Sequence, residues 1–454
     1  MSNSPMTISE LVASYHDGHL GEVDAALNAL AVQDIADALS QIEAADDRLA
    51  VFERLPQERQ TDTFSYLGER QQLELINALP SPLARRILHE LLPDDRTAFL
   101  ESLSPEDLEN HLKLLAPEDL TQSLKLLGYP EESIGRLMTP RYVSVQSDWT
   151  VARALDHIRH EANRGETVNF IFVTDQQGRL LDAIRLKDFI LARQDRAVET
   201  LMDGEYYSVL ASADREEAVQ VIQRYDLSTL AVTDRHGILI GIVTVDDIMD
   251  VAEEETTEDF QKLGAAGVLN VSLKDAGAGL LYRKRVGWLL VLVVMNLIGG
   301  AAIALFEQTI ETTLLLVFFL PLVIGTGGNA GAQAATLMVR ALATGDVQLK
   351  DWFKLWGKEL SVAALLGISL ALVVAGVGLY RGGPDIALII GASMVAVVIF
   401  GSMMGMVMPF ILTRFNLDPA TASVPLITSI ADIGGILIYL STASLLLNTG
   451  WPAG

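Results

Sequence analysis

Ile427-Thr-Ser-Ile-Ala-Asp432-Ile-Gly-Gly435 places a single carboxylate in the middle of an apolar run that extends from Pro419 to Leu447. Such a run is long enough to cross about 30 Å of hydrocarbon, which takes roughly 20 helical residues. An aspartate near its centre costs about 2.5–3.5 kcal/mol on insertion scales. A partner, a water-filled cavity or a cation meets that cost, or else a proton and a hydrogen bond to a neighbouring helix. Four further runs of the same kind precede it, at 286–306, 313–338, 360–380 and 386–413. None of the five contains a base, so no ionic partner for Asp432 lies within the hydrocarbon. Intramembrane acids usually face a pathway, and a pore or ion site is the favoured reading over a neutral, sealed aspartate.

The flanks of these runs set their orientation. With the amino terminus inside, the inner flanks hold Arg283, Lys284, Arg285, Arg340, Lys350, Lys354, Lys358 and Arg414, and the outer flanks only Arg381. This asymmetry predicts a cytoplasmic amino terminus and, after five spans, a carboxyl terminus outside. The second span contains Pro321-Leu-Val-Ile-Gly325-Thr-Gly-Gly-Asn329-Ala-Gly-Ala-Gln333. Its glycines either let helices pack closely or loosen the backbone, so that freed carbonyls with Thr326, Asn329 and Gln333 face a hydrated ion. The two readings stand level on this segment alone. In the fourth span Gly401-Ser-Met-Met-Gly405 has the small-xxx-small pattern of a helix or subunit contact.

Charge divides the chain at the same place. Residues 281–454 contain eight acids and nine bases, so of 58 acids and 33 bases in all, the first 280 residues hold 50 and 24, a balance of −26. A soluble half this acidic disfavours nucleic acid and anionic lipid and suits cations. The chain has no cysteine, which excludes disulfides, thiolate metal sites and cysteine nucleophiles. Met1 to Leu20 shows no apolar run preceded by bases, so no cleavable signal peptide is expected.

An internal repeat covers Leu137 to about Met249. Leu137-Met-Thr-Pro-Arg-Tyr-Val-Ser-Val145 matches Leu201-Met-Asp-Gly-Glu-Tyr-Tyr-Ser-Val209, and the stretches from Val173 and Val232 match in turn. Each copy reads as strand, helix, strand, turn, strand, helix, with Gly178 and Gly237 in the turns and closing helices at 186–191 and 245–251. The repeat resembles a tandem pair of CBS domains. That resemblance implies a regulatory module that often takes adenine nucleotide, through a hydroxyl residue followed three positions later by aspartate. The second copy offers Thr244 and Asp247; the first offers Arg185 and Asp188.

Before the repeat, from Ile8 to about Gly128, short amphipathic segments recur behind Leu55-Pro56, Leu79-Pro80, Leu92-Pro93, Ser104-Pro105 and Ala116-Pro117. Proline suits helix starts, and the acids that follow it suit the positive end of the helix dipole. A small helical superhelix of repeated hairpins is expected. Acids crowd Asp246, Asp247, Asp250, Glu253, Glu254, Glu255, Glu258 and Asp259, with Asp214, Glu216, Glu217 and Asp226 earlier in the repeat and Asp94 and Asp95 in the helical region. From the residues alone, solvated helix starts are favoured over metal sensing.

The order of parts, the glycine-rich second span, Arg340-Ala-Leu-Ala-Thr344 and the stretch from Asp418-Pro-Ala420 to Asp432 together resemble the MgtE magnesium transporter family over essentially the whole chain. The resemblance implies a multidomain α-helical membrane protein. Its parts would be an acidic superhelical domain (1–132), two α/β CBS domains (133–198 and 199–252), a connecting plug helix (253–281) and a five-helix transmembrane domain (282–454). It implies a multi-pass protein of the inner, or plasma, membrane, and a homodimer with one pore at the subunit interface. No other protein partner is inferred. A partly hydrated Mg2+ would be held near Asp432, with Asn329, Gln333 and Asp418 along the path. Magnesium sheds water reluctantly and typically takes one or two carboxylates directly, which suits that placement. The resemblance also turns the acids at 94, 95, 214, 216, 217, 226, 246, 247, 250, 254, 255, 258 and 259 into sensors that close the pore when cytoplasmic magnesium is high. ATP is left open as a ligand of the CBS pair.

The expected function is a magnesium-gated channel or transporter importing Mg2+. Two alternatives stand beside it: a proton- or sodium-coupled divalent-cation transporter working through Asp432, and a nucleotide-sensing membrane receptor without transport. An enzyme is not expected, because all seven histidines precede the membrane half and no nucleophile or phosphate-loop motif occurs.

Overall fold

The polar half owes its shape to short helices whose ends are stitched together by buried side chains. The computed structural model describes residues 13–15, 17–42, 44–162, 165–269, 273, 276–415 and 417–448. The expectations for Ile8, for Asn270 and Val271 of the connecting segment, and for Gly454 lie outside the described residues. The described chain divides into two compact units, 1–252 and 253–454.

The first unit opens with α1 (Leu20–Ala29), α2 (Val32–Ser40), α3 (Ala45–Glu53), α4 (Gln57–Ser65) and α5 (Glu69–Ala78). It continues with α6 (Ser81–Glu90), α7 (Pro93–Glu101), α8 (Pro105–Leu112) and α9 (Pro117–Leu127). Proline occupies the first turn of α6 to α9, where a missing N–H costs nothing. Pro56 and Pro80 stand one place earlier, at the caps of α4 and α6. The apolar stripes meet in one core that includes Leu27, Leu39, Phe52, Phe64, Leu88 and Phe99.

Polar side chains inside this core have one recurrent task. Arg48 on α3 donates to the carbonyls of Leu39 and Ile42 at the end of α2, at 3.2 and 2.7 Å. Gln60 on α4 donates to Leu55 O after α3, Gln72 on α5 to Phe64 O of α4, and Arg96 on α7 to Leu88 O of α6. These four helices so reach back to carbonyls at or just past the ends of their predecessors, where helical hydrogen bonding runs out.

After the short α10 (Ile134–Leu137), the repeat builds β1 (Ser144–Gln146), α11 (Val151–Glu161), β2 (Phe170–Thr174), β3 (Leu180–Arg185) and α12 (Leu186–Leu191). The second copy gives β4 (Ser208–Leu210), α13 (Arg215–Tyr225), β5 (Thr229–Thr233), β6 (Leu239–Thr244) and α14 (Val245–Leu263). In both sheets the first strand pairs parallel and the third antiparallel to the middle one. Gly178 and Gly237 take φ of 80° and 75° in matching turns, which side-chain-bearing residues resist. Leu180 N donates to Gly237 O, and Leu239 N to Gly178 O, so the two turns pair reciprocally. One boundary differs from expectation. The short helix expected at 245–251 and the connecting helix expected from 253 are a single 19-residue helix, α14, because no Gly or Pro interrupts the run to Leu263.

The second unit holds α15 (Ala278–Ala304), α16 (Glu307–Thr312), α17 (Leu315–Ala343), then a 63-residue helical stretch, Trp352–Arg414, and α20 (Val424–Asn448). The long stretch is two spans, because Gly383 inside it has φ 80° and ψ −174°. We label its halves α18 (352–382) and α19 (384–414). They run back along one another: a Cβ on Gly367 would lie 3.0 Å from the Cα of Val395, and one on Gly378 3.1 Å from that of Ala387. The expected five apolar crossings are therefore present as α15, α17, α18, α19 and α20, each long enough for the hydrocarbon. Phe319, Val323, Ile390, Val397, Tyr439 and Leu440 form the core of this bundle. Leu290, Val294, Leu297, Leu365, Leu372 and Val373 stay outside it, as lipid-facing residues would.

Candidate ion path and acidic sites

The glycines of α17 divide between packing and the carboxylate. Gly327 and Gly331 interleave with Gly401 and Gly405 of α19. A Cβ on Gly331 would come within 2.8 Å of the Gly401 carbonyl, and Cβ atoms on Gly401 and Gly405 would collide with the carbonyls of Gly327 and Gly331. The Gly401–Gly405 pattern thus serves a contact inside one chain. Gly328 instead faces α20: its missing Cβ would meet Thr428 Cγ2 at 2.8 Å and Asp432 Oδ1 at 3.2 Å. The side-chain space that Gly328 gives up is where the Asp432 carboxylate lies. Its Oδ1 is buried and has no hydrogen-bond partner among the described residues.

The loosened backbone considered for the second span is not what forms. Leu315–Ala343 is one continuous helix through Pro321 and the glycines, and Thr326 Oγ1 donates to Leu322 O at 2.6 Å. Carbonyls engaged in helical hydrogen bonds are not freed to replace water around an ion. The polar side chains remain: Asn329, Gln333 and Thr336 are all exposed at helical spacing on α17, with Gly325 before them and Arg340 after. A polar stripe at hydrocarbon depth needs water or another protein against it.

Asp418 stands elsewhere. It caps the turn Pro419–Thr421 ahead of α20, with Oδ1 accepting from Ala420 N at 2.8 Å. Eight residues of helix separate Val424 from Asp432, about 12 Å of rise, so the two carboxylates do not share one ion. Asp418 Oδ2 instead takes the ammonium of Lys262 at 2.6 Å.

In the first unit three acids from separate elements converge. Asp94 lies in the first turn of α7, Asp247 in the first turn of α14, and Glu166 in the loop after α11. One carboxylate oxygen from each lies within 4.8 Å of the others. Asp94 is only 7% exposed, and its Oδ1 and Glu166 Oε2 are buried without hydrogen-bond partners among the described residues. Burial, reinforced by the charges of Glu166 and Asp247, holds the Asp94 carboxyl well above the usual range. Burial also raises Glu166 to about 7, against a hydrogen bond from Thr139, and Asp247 to about 6, against one from Thr244. Asp95, beside the cluster, is raised to about 6 by burial and the charges of Asp247 and Asp246.

Carboxylates this close repel one another, and a divalent cation reverses that sign. Oxygens on opposite sides of an octahedral magnesium are about 4 Å apart, so this set suits Mg2+ after slight contraction or through one bound water. The orphaned buried oxygens are the observation that fits a cation here. Glu166 is absent from the acid-rich runs; it stands alone in Gly165-Glu166-Thr167, and only the fold brings it to Asp94 and Asp247.

The remaining expected residues do not join this trio. Asp214 caps α13 by accepting from Glu216 N at 2.9 Å, Glu217 is exposed in the same turn, and Asp226 ends α13 in the left-handed region at φ 50°. Asp246 and Asp250 are exposed on α14, as is Glu254, while Glu255, Glu258 and Asp259 are half-buried further along it. Of the nucleotide signature pairs, Thr244 Oγ1 donates to Asp247 Oδ2 at 2.6 Å. Arg185 pairs with Asp188 at 3.1 Å, and both are partly exposed.

Comparison with known proteins gives a consistent set of likenesses. A family model described as a divalent cation transporter, MgtE, matches residues 320–442, the MgtE intracellular N domain matches 30–132, and the CBS domain matches 134–195 and 198–254. The magnesium transporter MgtE of Thermus thermophilus is 40% identical over 320 residues, 70% of this chain and 71% of that one. The magnesium transporter MgtE of Bacillus subtilis is 31% identical over 416 residues, 89% of this chain and 92% of that one. Among solved structures, the cytosolic domain of the Mg2+ channel MgtE in complex with ATP covers 54% of this chain and 100% of its own at 31% identity and TM-score 0.51. The soluble part of a magnesium transporter covers 55% and 97% at 27% identity and TM-score 0.50.

Proposed function

The chain belongs to the MgtE family of magnesium transporters, and from that premise we propose that it is a magnesium channel importing Mg2+ past Asp432 and closed by magnesium bound to its cytoplasmic acids. One observation carries the reading: the Asp432 carboxylate lies against the gap left by Gly328, with a buried oxygen that no donor among the described residues satisfies. A charged group kept in hydrocarbon without a counter-ion is stabilised by a cation that visits it. Asn329 and Gln333 leave a polar face of α17 uncovered, and a second copy of the chain is the cover we propose, with the path between the two. Two carboxylates across a two-fold axis would then hold a partly hydrated Mg2+.

Closure follows from the acids. Without metal, Asp94, Glu166 and Asp247 repel. Magnesium bridging them favours whichever arrangement brings them together, and only that difference in affinity can shift the gate. For nucleotide we favour the first CBS copy. Thr244 is buried and Asp247 belongs to the acid trio, whereas Asp188 and Arg185, paired with each other, remain partly exposed and would offer a carboxylate to a ribose hydroxyl and a guanidinium to phosphate.

The test is Mg2+ uptake into liposomes holding the purified chain. Asp432→Ala is expected to abolish uptake while the protein still inserts and runs as the parent does on a sizing column. Full uptake by that variant would refute the path. Reversal potentials in opposed magnesium and proton or sodium gradients separate a channel, which follows magnesium alone, from a coupled transporter.

A further inference from the structure

The end of α14 carries a cation of its own where the acidic helix meets the turn before the last span. Lys262 lies in the last turn of α14. Its Nζ contacts Glu258 one turn back and Asp418 Oδ2 at 2.6 Å. Lys262, Glu258 and Asp418 are 28, 26 and 35% exposed, so the trio is half withdrawn from water. Burial opposes the ammonium charge, but hydrogen bonds to Asp418 and Glu258 outweigh it and hold Lys262 fully charged, above its ordinary pKa. Asp259 next to it is half-buried and raised to about 6 by burial and by the charge of Asp418, with Lys262 working the other way. The chain after the helix is also tied down: Leu269 N donates to Gln261 Oε1 at 2.7 Å, and Gly267 N to Lys284 O at 3.1 Å.

Three acids and one base therefore meet at this point, and the base neutralises Asp418 without any metal. We infer that Lys262 is a tethered cation that holds the end of α14 on the Asp418 turn, and that it thereby sets the magnesium concentration at which the path closes. The second half of this inference rests on the gating reading above. A divalent ion serving Glu258, Asp259 and Asp418 would do the same work with twice the charge. Lys262 supplies part of that neutralisation permanently, so the contact survives when magnesium is low and less added magnesium completes closure. Removing the ammonium takes from Glu258 and Asp418 the cation that both contact, with Asp259 beside them, which pushes the helix end from the turn until metal replaces the lost charge.

Two measurements on the full chain in liposomes decide it. The absence of cysteine allows spin labels at Thr257→Cys and Thr421→Cys with no other reactive thiol. In chelator, the parent is expected to give one narrow distance population. Lys262→Met should broaden and lengthen it, and Lys262→Arg should restore it. A Lys262→Met distribution identical to the parent's overturns the tether. In uptake assays, Lys262→Met is expected to raise the half-closing magnesium concentration at least threefold, and to have no further effect in an Asp418→Asn background. A shift of the same size in that background, or none in the parent background, overturns the regulatory half. A parent that never closes with magnesium removes the gating reading itself, while the distances still decide the tether.

Discussion

Glu166 shows what one side chain contributes to a site assembled from distant parts. Its folded pKa of about 7 lies above the ordinary 4.5 because burial penalises the charge. A carboxylate raised in this way supports the fold fully below its unfolded pKa, and the support is lost as pH rises through the folded value. In chelator the chain is therefore expected to lose stability between about pH 4.5 and 7.5, by on the order of 1–2 kcal/mol after allowance for solvent screening. Magnesium should cancel the slope, because it binds the ionised form and releases protons. Glu166→Gln should reduce the metal-free slope, leaving the part that the raised Asp94, Asp95 and Asp247 contribute, and weaken magnesium stabilisation about tenfold in concentration, read as the magnesium dependence of thermal unfolding at pH 7. An unchanged magnesium dependence would remove Glu166 from the ligand set. No pattern in the sequence marks this residue. Asp94 and Asp247 fall within acidic helix starts, whereas Glu166 is a lone acid in a loop that only tertiary pairing brings to them.

At the scale of elements, the α17–α19 contact follows from four glycines whose carbonyls and Cα atoms touch across the helix pair. Inserting a side chain into so tight a contact typically costs about 1–3 kcal/mol, occasionally more. Gly401→Leu is expected to lower the unfolding temperature of the detergent-solubilised chain by several degrees. Gly300→Ala, on α15 where a Cβ would meet nothing within 4 Å, should leave it unchanged. Equal effects would show that the interleaving carries no stability. Spans and repeats were readable because period and length are written in the residues themselves: apolar runs of membrane length, and two copies of one strand–helix pattern. The division of labour among the second span's glycines was not. Gly327, Gly328 and Gly331 look alike in sequence, and only the rotation of α17 turns one toward Asp432 and two toward α19. Nor could composition show that α14 runs unbroken from the CBS fold to Leu263, since a domain boundary leaves no mark where no Gly or Pro interrupts the helix.

At the scale of the whole molecule, the uncovered polar face of α17 makes the proposed dimer testable. Asn329 and Gln333 are exposed on a helix of hydrocarbon depth, which one chain in lipid would not tolerate without water or a partner. Leu372 and Val373 on α18 are 74 and 70% exposed and apolar, and lipid satisfies them. A path lined by two copies of α17 brings like positions near a two-fold axis, so a single cysteine there meets its own counterpart. Gln333→Cys is expected to give a dimer-sized band with a short bis-maleimide in native membranes, and Leu372→Cys to stay monomer-sized under the same treatment. Magnesium should slow the first reaction if it occupies or narrows the path, and leave the second untouched. Crosslinking at Leu372 but not at Gln333 would put the subunit contact on the opposite face. Asp432 would then face a path within each chain, which the packed core of Val323, Ile390 and Val397 leaves little room for.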